Sequence, residues 1–327
     1  MKANDESENL NRIVNIALAI IVILSLILNS LLIIILLKKR KQTRWNINDK
    51  LIILIAIIDI SEGVFGTFSC IYHTLYGKLL LFDKPWYCQI SGYIMTGLLM
   101  TSILLLLLVA VYRFKIITYR KNIFNPMYFY VFLIVTIVVH GFGLYCLFDF
   151  NFYPVGSGAY CYPSLKHRVS GKLYYTIIGL FNLIVPILFG AAYLGIFFNF
   201  HHFIRKQKRN SLELIQSNSN HSSDSNTAIK MEAQNSIFSN KNLVNKVSFR
   251  AIIYIFIYLP IWIPNLISVG WDLTNLDKNR RTEILVIIPV IGILLTILIN
   301  PIMVFLVDSK MFDALLSLLK FKKINFY

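Results

Sequence analysis

Cysteine and acid are both scarce in this 327-residue chain, which has four cysteines and 16 Asp and Glu against 32 Lys and Arg. Four cysteines do not make a disulfide scaffold, and no Cys-x-x-Cys pair or Cys/His spacing suggests a zinc site. His-Glu-x-x-His, metal clusters and nucleophile motifs are also missing, so the paired catalytic groups that a membrane enzyme needs are not found. Internal repeats of the kind many transporters carry are absent too. The opening residues, Met-Lys-Ala-Asn-Asp-Glu-Ser-Glu, have no basic stretch leading into a short apolar core, so no signal peptide is expected.

Apolar residues are plentiful instead, at 57% of the chain with a mean hydropathy of +0.64, far beyond an ordinary soluble domain. Seven long apolar runs, roughly 13–37, 51–76, 87–114, 126–148, 173–200, 247–270 and 283–307, each approach the length of a spanning helix. The net charge of +16 is no sign of nucleic-acid binding, because Lys and Arg cluster in the gaps between runs, as anchoring at an anionic leaflet requires. Roughly two thirds of them follow the first, third and fifth runs or lie in the tail, which places those segments in the cytoplasm and the amino terminus outside.

The expected fold is therefore an all-α integral membrane protein, a seven-transmembrane helix bundle over 13–307 in contact with membrane lipid. An extracellular segment at 1–12 precedes it, and a disordered cytoplasmic loop at about 205–245, rich in Ser and Asn, interrupts it. At 308–327, Met311, Phe312, Leu315, Leu316 and Leu319 repeat at helical spacing beside Lys320, Lys322 and Lys323, which predicts an amphipathic surface helix and a short tail.

Polar residues within the runs are candidates for function, because a buried polar group in lipid needs an internal partner. Asn29 is the amide singled out in the first run, and Asp59 is read as the one mid-span acid. His140 sits in the fourth run, where a hydrogen-bonded packing role is the ordinary reading. Pro186 kinks the fifth run, and Trp262 with Pro264 marks the sixth. Of the four cysteines, Cys70 and Cys146 fall in or beside apolar runs, where a buried free thiol is usual.

In order, Asn29, Asp59, Cys88, Ser102, Arg113, Pro186, Trp262, Pro264, Asn300 and Pro301 resemble the signature positions of rhodopsin-like (class A) G-protein-coupled receptors. Tyr112-Arg113-Phe114 stands where that family has Asp-Arg-Tyr. Tyr258-Leu-Pro-Ile-Trp262-Ile-Pro264 stands for Phe-x-x-Cys-Trp-x-Pro, and Asn300-Pro301-Ile-Met-Val304 for Asn-Pro-x-x-Tyr. His140 lies where tryptophan is usual. Tyr193 follows Pro186 by seven residues rather than the family's eight, so its role is not carried over.

The resemblance implies a plasma-membrane receptor, not an enzyme, that binds an extracellular ligand and activates a heterotrimeric G protein. The alternative is a transporter or channel, which a single mid-span acid and the lack of repeats disfavour. Cys88 and Cys161 would form the family's disulfide, and the helix at the tail would be its eighth. Arg113, with Tyr112, would couple to the G protein. Because neither Tyr112 nor the approach to the sixth run supplies the usual acid, Arg113 would be weakly restrained and basal signalling measurable. Trp262, Pro264, Asn300, Pro301, Pro186 and Asn29 would form the activation switch. Asp59, Ser102 and Asn300 would hold an allosteric sodium ion, with no other cofactor. The ligand wall would be Met95, Thr96, Leu99, Ile178, Asn182, Trp262, Asn265, Leu266 and Leu294, mostly apolar, which favours a lipophilic or neutral ligand. No lysine in the seventh run offers a retinal Schiff base, and no carboxylate in the outer half of the third pairs an amine.

Overall fold

The computed structural model describes residues 2–42, 47–76, 85–119, 126–154, 161–163, 169–218, 283–307 and 309–318. It also describes helical residues at 253, 256–258, 260–264, 266–267 and 270–271. The helices are α1 (Lys2–Gln42), α2 (Ile47–Tyr76), α3 (Pro85–Tyr119), α4 (Pro126–Phe148), α5 (Val169–Asn218), α6 (Glu283–Val307) and α7 (Ser309–Leu318). Two short strands, β1 (Phe152–Pro154) and β2 (Cys161–Pro163), join α4 to α5.

Arg12–Lys39, Pro85–Ile116, Met127–Phe148 and Val169–Asn199 each have the length and apolarity of a membrane crossing. α2, α6 and the helical residues at 256–271 coincide with the other three apolar runs. Lipid offers no partner for a backbone polar group, so helix is the form these runs take. Hydroxyls obey the same constraint: Thr101, Thr136 and Thr296 each donate to the carbonyl four residues earlier in their own helix.

The chain divides into two compact units. The first comprises Met1–Val109, Asn125–Pro186 and Tyr258–Tyr327; the second comprises Ala110–Phe124 and Ile187–Ile257. In the first, Leu18, Ala19 and Val22 of α1 pack against Leu294 and Ile297 of α6. A second cluster joins Leu32, Ile35 and Leu36 of α1, Ile52 and Ala56 of α2, and Phe305 of α6. Met311, Ala314, Leu315 and Leu318 of α7 close that cluster, and Val304 packs on it. The segment Met311–Leu318 turns 101° from Leu294–Leu306, as a helix leaving the crossing direction must.

α4 ends in a backbone-satisfied cap. Phe150, at φ 51°, lets Phe150 N–H reach Leu147 O and Asn151 N–H reach Cys146 O. The chain then enters the β1–β2 hairpin, where Phe152 pairs with Pro163 and Pro154 with Cys161.

Residues 2–12, the segment that precedes the first apolar run, are helical and continue α1. Two expectations need correction. Residues 205–218 belong to α5 rather than to a disordered loop. Neither stretch contains proline or glycine, and a charged segment rich in Leu, Glu, Gln, Lys and Arg extends a helix already nucleated beside it. The fold also has a strand pair in the segment read only as a loop. Residues 219–245 of the predicted loop, and 319–327 of the tail, lie outside the described residues.

Candidate functional site

A proline organises the polar interior of the first unit. Pro301 has no N–H, so the carbonyl of Ile297 cannot receive its helical hydrogen bond. α1 supplies the missing donors: Ser25 Oγ lies 2.9 Å from Ile297 O, and Asn29 Nδ2 lies 3.1 Å from it. The same Asn29 nitrogen is 3.1 Å from the Ser25 carbonyl and from Ser25 Oγ. The resemblance implies that Asn29 ties three helices. Its described bonds run only within α1 and to α6, and α2 joins one residue pair further on.

That pair is Asp59 and Asn300. Asn300 Nδ2 donates to Asp59 Oδ2 at 2.7 Å, and Ser102 Oγ donates to Asp59 Oδ1 at 2.8 Å. Asp59 is fully buried, and α2, α3 and α6 converge on it as the sequence anticipates. Tyr258 extends the track, its hydroxyl donating to Asn300 Oδ1. This role is carried by one departure from the family pattern, tyrosine where phenylalanine is usual, and sequence reasoning had not drawn it out.

Two more polar residues were missed. Asn15 of α1 and Glu62 of α2 are both completely buried, so Asn29 is not the sole amide of its run nor Asp59 the sole acid of the spans. The signal was available, since Asp59-Ile-Ser-Glu62 places two acids one turn apart on one helix face.

The expected ligand wall draws on four helical segments. Thr96, Leu99, Ile178, Asn182, Trp262 and Leu294 are buried, and Met95 and Leu266 are half-buried. Asn265 lies outside the described residues. Met95 and Leu294 meet over Gly66, where an added Cβ would stand 3.4 Å from Met95 Cε and 3.9 Å from Leu294 Cδ2.

At the Cys88 end of α3 the predicted disulfide to Cys161 is formed, with Cα atoms 5.5 Å apart. Gln89 adds a two-point clasp on one residue: Phe152 N–H donates to Gln89 Oε1 at 2.9 Å, and Gln89 Nε2 donates to Phe152 O at 2.6 Å. Gly92 is needed there, because a Cβ would lie 2.6 Å from the Phe152 ring. Cys146 is a buried free thiol, and the Cys70 side chain lies outside the described residues.

His140 serves packing. Its Nδ1 is 3.4 Å from Tyr93 Oη and its Nε2 3.0 Å from Thr101 Oγ1, so both ring nitrogens have partners. The ring seats against Gly97, where a Cβ would meet His140 Cε1 at 2.6 Å.

In the second unit, Arg113 Nη1 donates to Tyr193 Oη at 3.2 Å. The shorter proline-to-tyrosine spacing thus still delivers a hydroxyl to the arginine. α3 and α5 approach closely here, as a Cβ on Gly195 would lie 2.6 Å from the Phe114 ring, and Asn199 Nδ2 is 3.4 Å from Thr118 Oγ1. Tyr112, beside the arginine, is buried.

A profile of the family described as 7 transmembrane receptor (rhodopsin family) matches residues 28–303. Squid rhodopsin, known from its crystal structure, is similar in fold at 14% identity, with a TM-score of 0.62 over 95% of this chain and 85% of that one. No curated protein sequence matches the chain.

Proposed function

The chain belongs to the rhodopsin family of seven-transmembrane receptors, and from that premise we propose that it binds an extracellular ligand at the plasma membrane and activates a heterotrimeric G protein. That family is one of receptors rather than enzymes. The observation that carries the proposal is the track Ser25–Asn29–Ile297 and Ser102–Asp59–Asn300–Tyr258, which links the first three spans to the two proline-bearing segments. Pro264 and Pro301 interrupt the backbone ladders of those two segments, so a change in what packs on Trp262 has a compliant element on which to act. Tyr258 lies one turn from Trp262 and touches Asn300, which gives that change a route into the buried carboxylate.

Arg113 is the residue assigned to engage the G protein, with its guanidinium oriented by the Tyr193 hydroxyl. Its neighbour Tyr112 supplies no acid, and weak restraint with measurable basal exchange follows. Asp59 and Ser102 fit an allosteric sodium ion, because a carboxylate and a hydroxyl are the hard oxygen donors that such a cation takes. Asn300 would serve that site by orienting the carboxylate with its amide nitrogen, since its oxygen is engaged by Tyr258.

The test is ligand-free guanine-nucleotide exchange by the reconstituted protein across a panel of heterotrimeric G proteins. Exchange on at least one member, lost in Arg113→Ala, is the expected result. A wild-type protein that moves substrate across vesicles and drives no exchange would support the transporter reading. The sodium assignment is tested separately by thermal unfolding in sodium against potassium chloride, where Asp59→Asn should erase any sodium-specific rise.

A further inference from the structure

α2 carries a second acid that the polar track does not use. Glu62 is 0% exposed, and neither Oε1 nor Oε2 accepts a hydrogen bond among the described residues. Asp59, one turn away, has both oxygens occupied by Ser102 and Asn300. An acid in the middle of a spanning helix disfavours insertion unless something compensates it. A carboxyl with two unpaired oxygens therefore calls for a donor or a positive charge, and among the described residues no basic side chain pairs with it. His140 turns both ring nitrogens elsewhere, to Tyr93 and Thr101.

The register of α2 says what Glu62 faces. Residues 59, 62, 63 and 66 share one side of the helix. Asp59 meets Ser102 of α3 and Asn300 of α6, and Gly66 meets Met95 of α3 and Leu294 of α6. Gly63 abuts α1, with an added Cβ 3.0 Å from Leu26 Cδ2. Glu62 thus lies between the polar track and the Met95–Leu294 pair, two residues of the expected ligand wall. Position 66 is glycine, and the end of the Met95 side chain lies 3.4 Å from where a Cβ would stand there, an unbranched chain that moves aside readily. The mostly apolar wall favours a lipophilic or neutral ligand, and the outer half of α3 has no carboxylate to pair an amine; α2 supplies the acid instead.

We propose that Glu62 is the anionic anchor of the ligand pocket, so that the ligand carries a protonated amine or guanidinium on an apolar body. This rests on the receptor reading above and names its ligand class. A charged N–H bonded to a carboxylate behind apolar walls is among the strongest of hydrogen bonds and would satisfy both Glu62 oxygens. Leu294, Leu99 and Met95 would bury the apolar remainder.

The test uses the full chain in lipid nanodiscs and follows thermal unfolding with 4-phenylbutylammonium chloride, with the matched neutral 4-phenylbutanol, and with sodium chloride. The ammonium should raise the midpoint saturably, at a concentration at least tenfold lower than the alcohol needs, and Glu62→Gln should erase that difference. The proposal is overturned if ammonium and alcohol act alike on wild type, if the difference survives in Glu62→Gln, or if sodium chloride alone gives a Glu62-dependent rise, which would mark an inorganic cation site. A measurement needing no variant is dicyclohexylcarbodiimide labelling of buried carboxyls, mapped by peptide mass. The ammonium should slow labelling at Glu62 and the alcohol should not, and labelling indifferent to the ammonium would overturn the assignment. Both readouts report binding, so a failure of G-protein coupling leaves them intact, and their failure leaves coupling standing.

Discussion

At its Cys88 end, α3 is fastened by a disulfide and by two hydrogen bonds from one glutamine to one residue of the hairpin. At its Arg113 end the contact to α5 is a long-reaching arginine on a tyrosine hydroxyl, with ring-to-glycine packing beside it. The first arrangement fixes position covalently and through groups buried from water. The second can be exchanged for another hydrogen bond with little loss, because a guanidinium carries five N–H donors that can be offered to one acceptor after another. One helix thus combines a fixed end, suited to framing a pocket, with an end whose partners can change, suited to switching.

The largest effect should come from undoing the covalent end. Cys161→Ser releases a loop closed across 73 residues, for which about 3 kcal/mol or more of stability is typical. The unfolding midpoint of the purified protein should fall by many degrees and its folded yield should collapse. If the midpoint holds, the asymmetry between the two ends is not one of stability.

Gln89→Ala should come next. With the disulfide intact it leaves the buried N–H and C=O of Phe152 unpaired, at a cost of about 2 kcal/mol. A lower midpoint with unchanged basal exchange would confirm that this end frames rather than switches. Altered exchange at an unchanged midpoint would show the opposite.

At the other end, Tyr112→Asp places a carboxylate beside Arg113 and should cut ligand-free exchange about tenfold, the population shift that one charged hydrogen bond of about 1.4 kcal/mol produces. Basal exchange equal to or above wild type would show that restraint there was not weak.

The smallest change is Tyr193→Phe, which removes one hydroxyl. Exchange should drop about threefold, in line with a bond of about 0.7 kcal/mol, while the unfolding midpoint stays put. A rise in exchange would mean that Tyr193 restrains Arg113 rather than orienting it.

Much of this was legible from residues whose chemistry leaves few options. Pro301 announces an orphaned carbonyl, and Asn29 is a donor that lipid will not satisfy; both were visible, although only coordinates show that Ser25 shares the task. Asp59, Ser102 and Asn300 were likewise anticipated as a group. Glu62 and Asn15 escaped because a single acid and a single amide seemed to account for their runs, whereas helical register had placed further polar groups on the same buried stripes. Tyr193 escaped for a geometric reason. One residue of offset rotates a helix by about 100°, yet arginine and tyrosine are long enough to bridge it. Hydropathy placed the membrane-crossing parts of α1 and α5, but it reports what lipid will accept and says nothing of how far a charged helix continues beyond, as α5 does through 205–218.

The bond between Ile297 and the Ser25–Asn29 pair also bears on how the protein is made. A ribosome delivers α1 well before α6, so the donors that complete the proline-broken ladder of α6 are in place long before the carbonyl they serve emerges. Until then Asn29 sits in the bilayer with its amide unmatched to that partner, open to capture by any chaperone or stray helix that offers a carbonyl. Packing around α1 therefore waits for α6, and a chain truncated before residue 297 should stall as a recognisably unfinished protein rather than a stable smaller one.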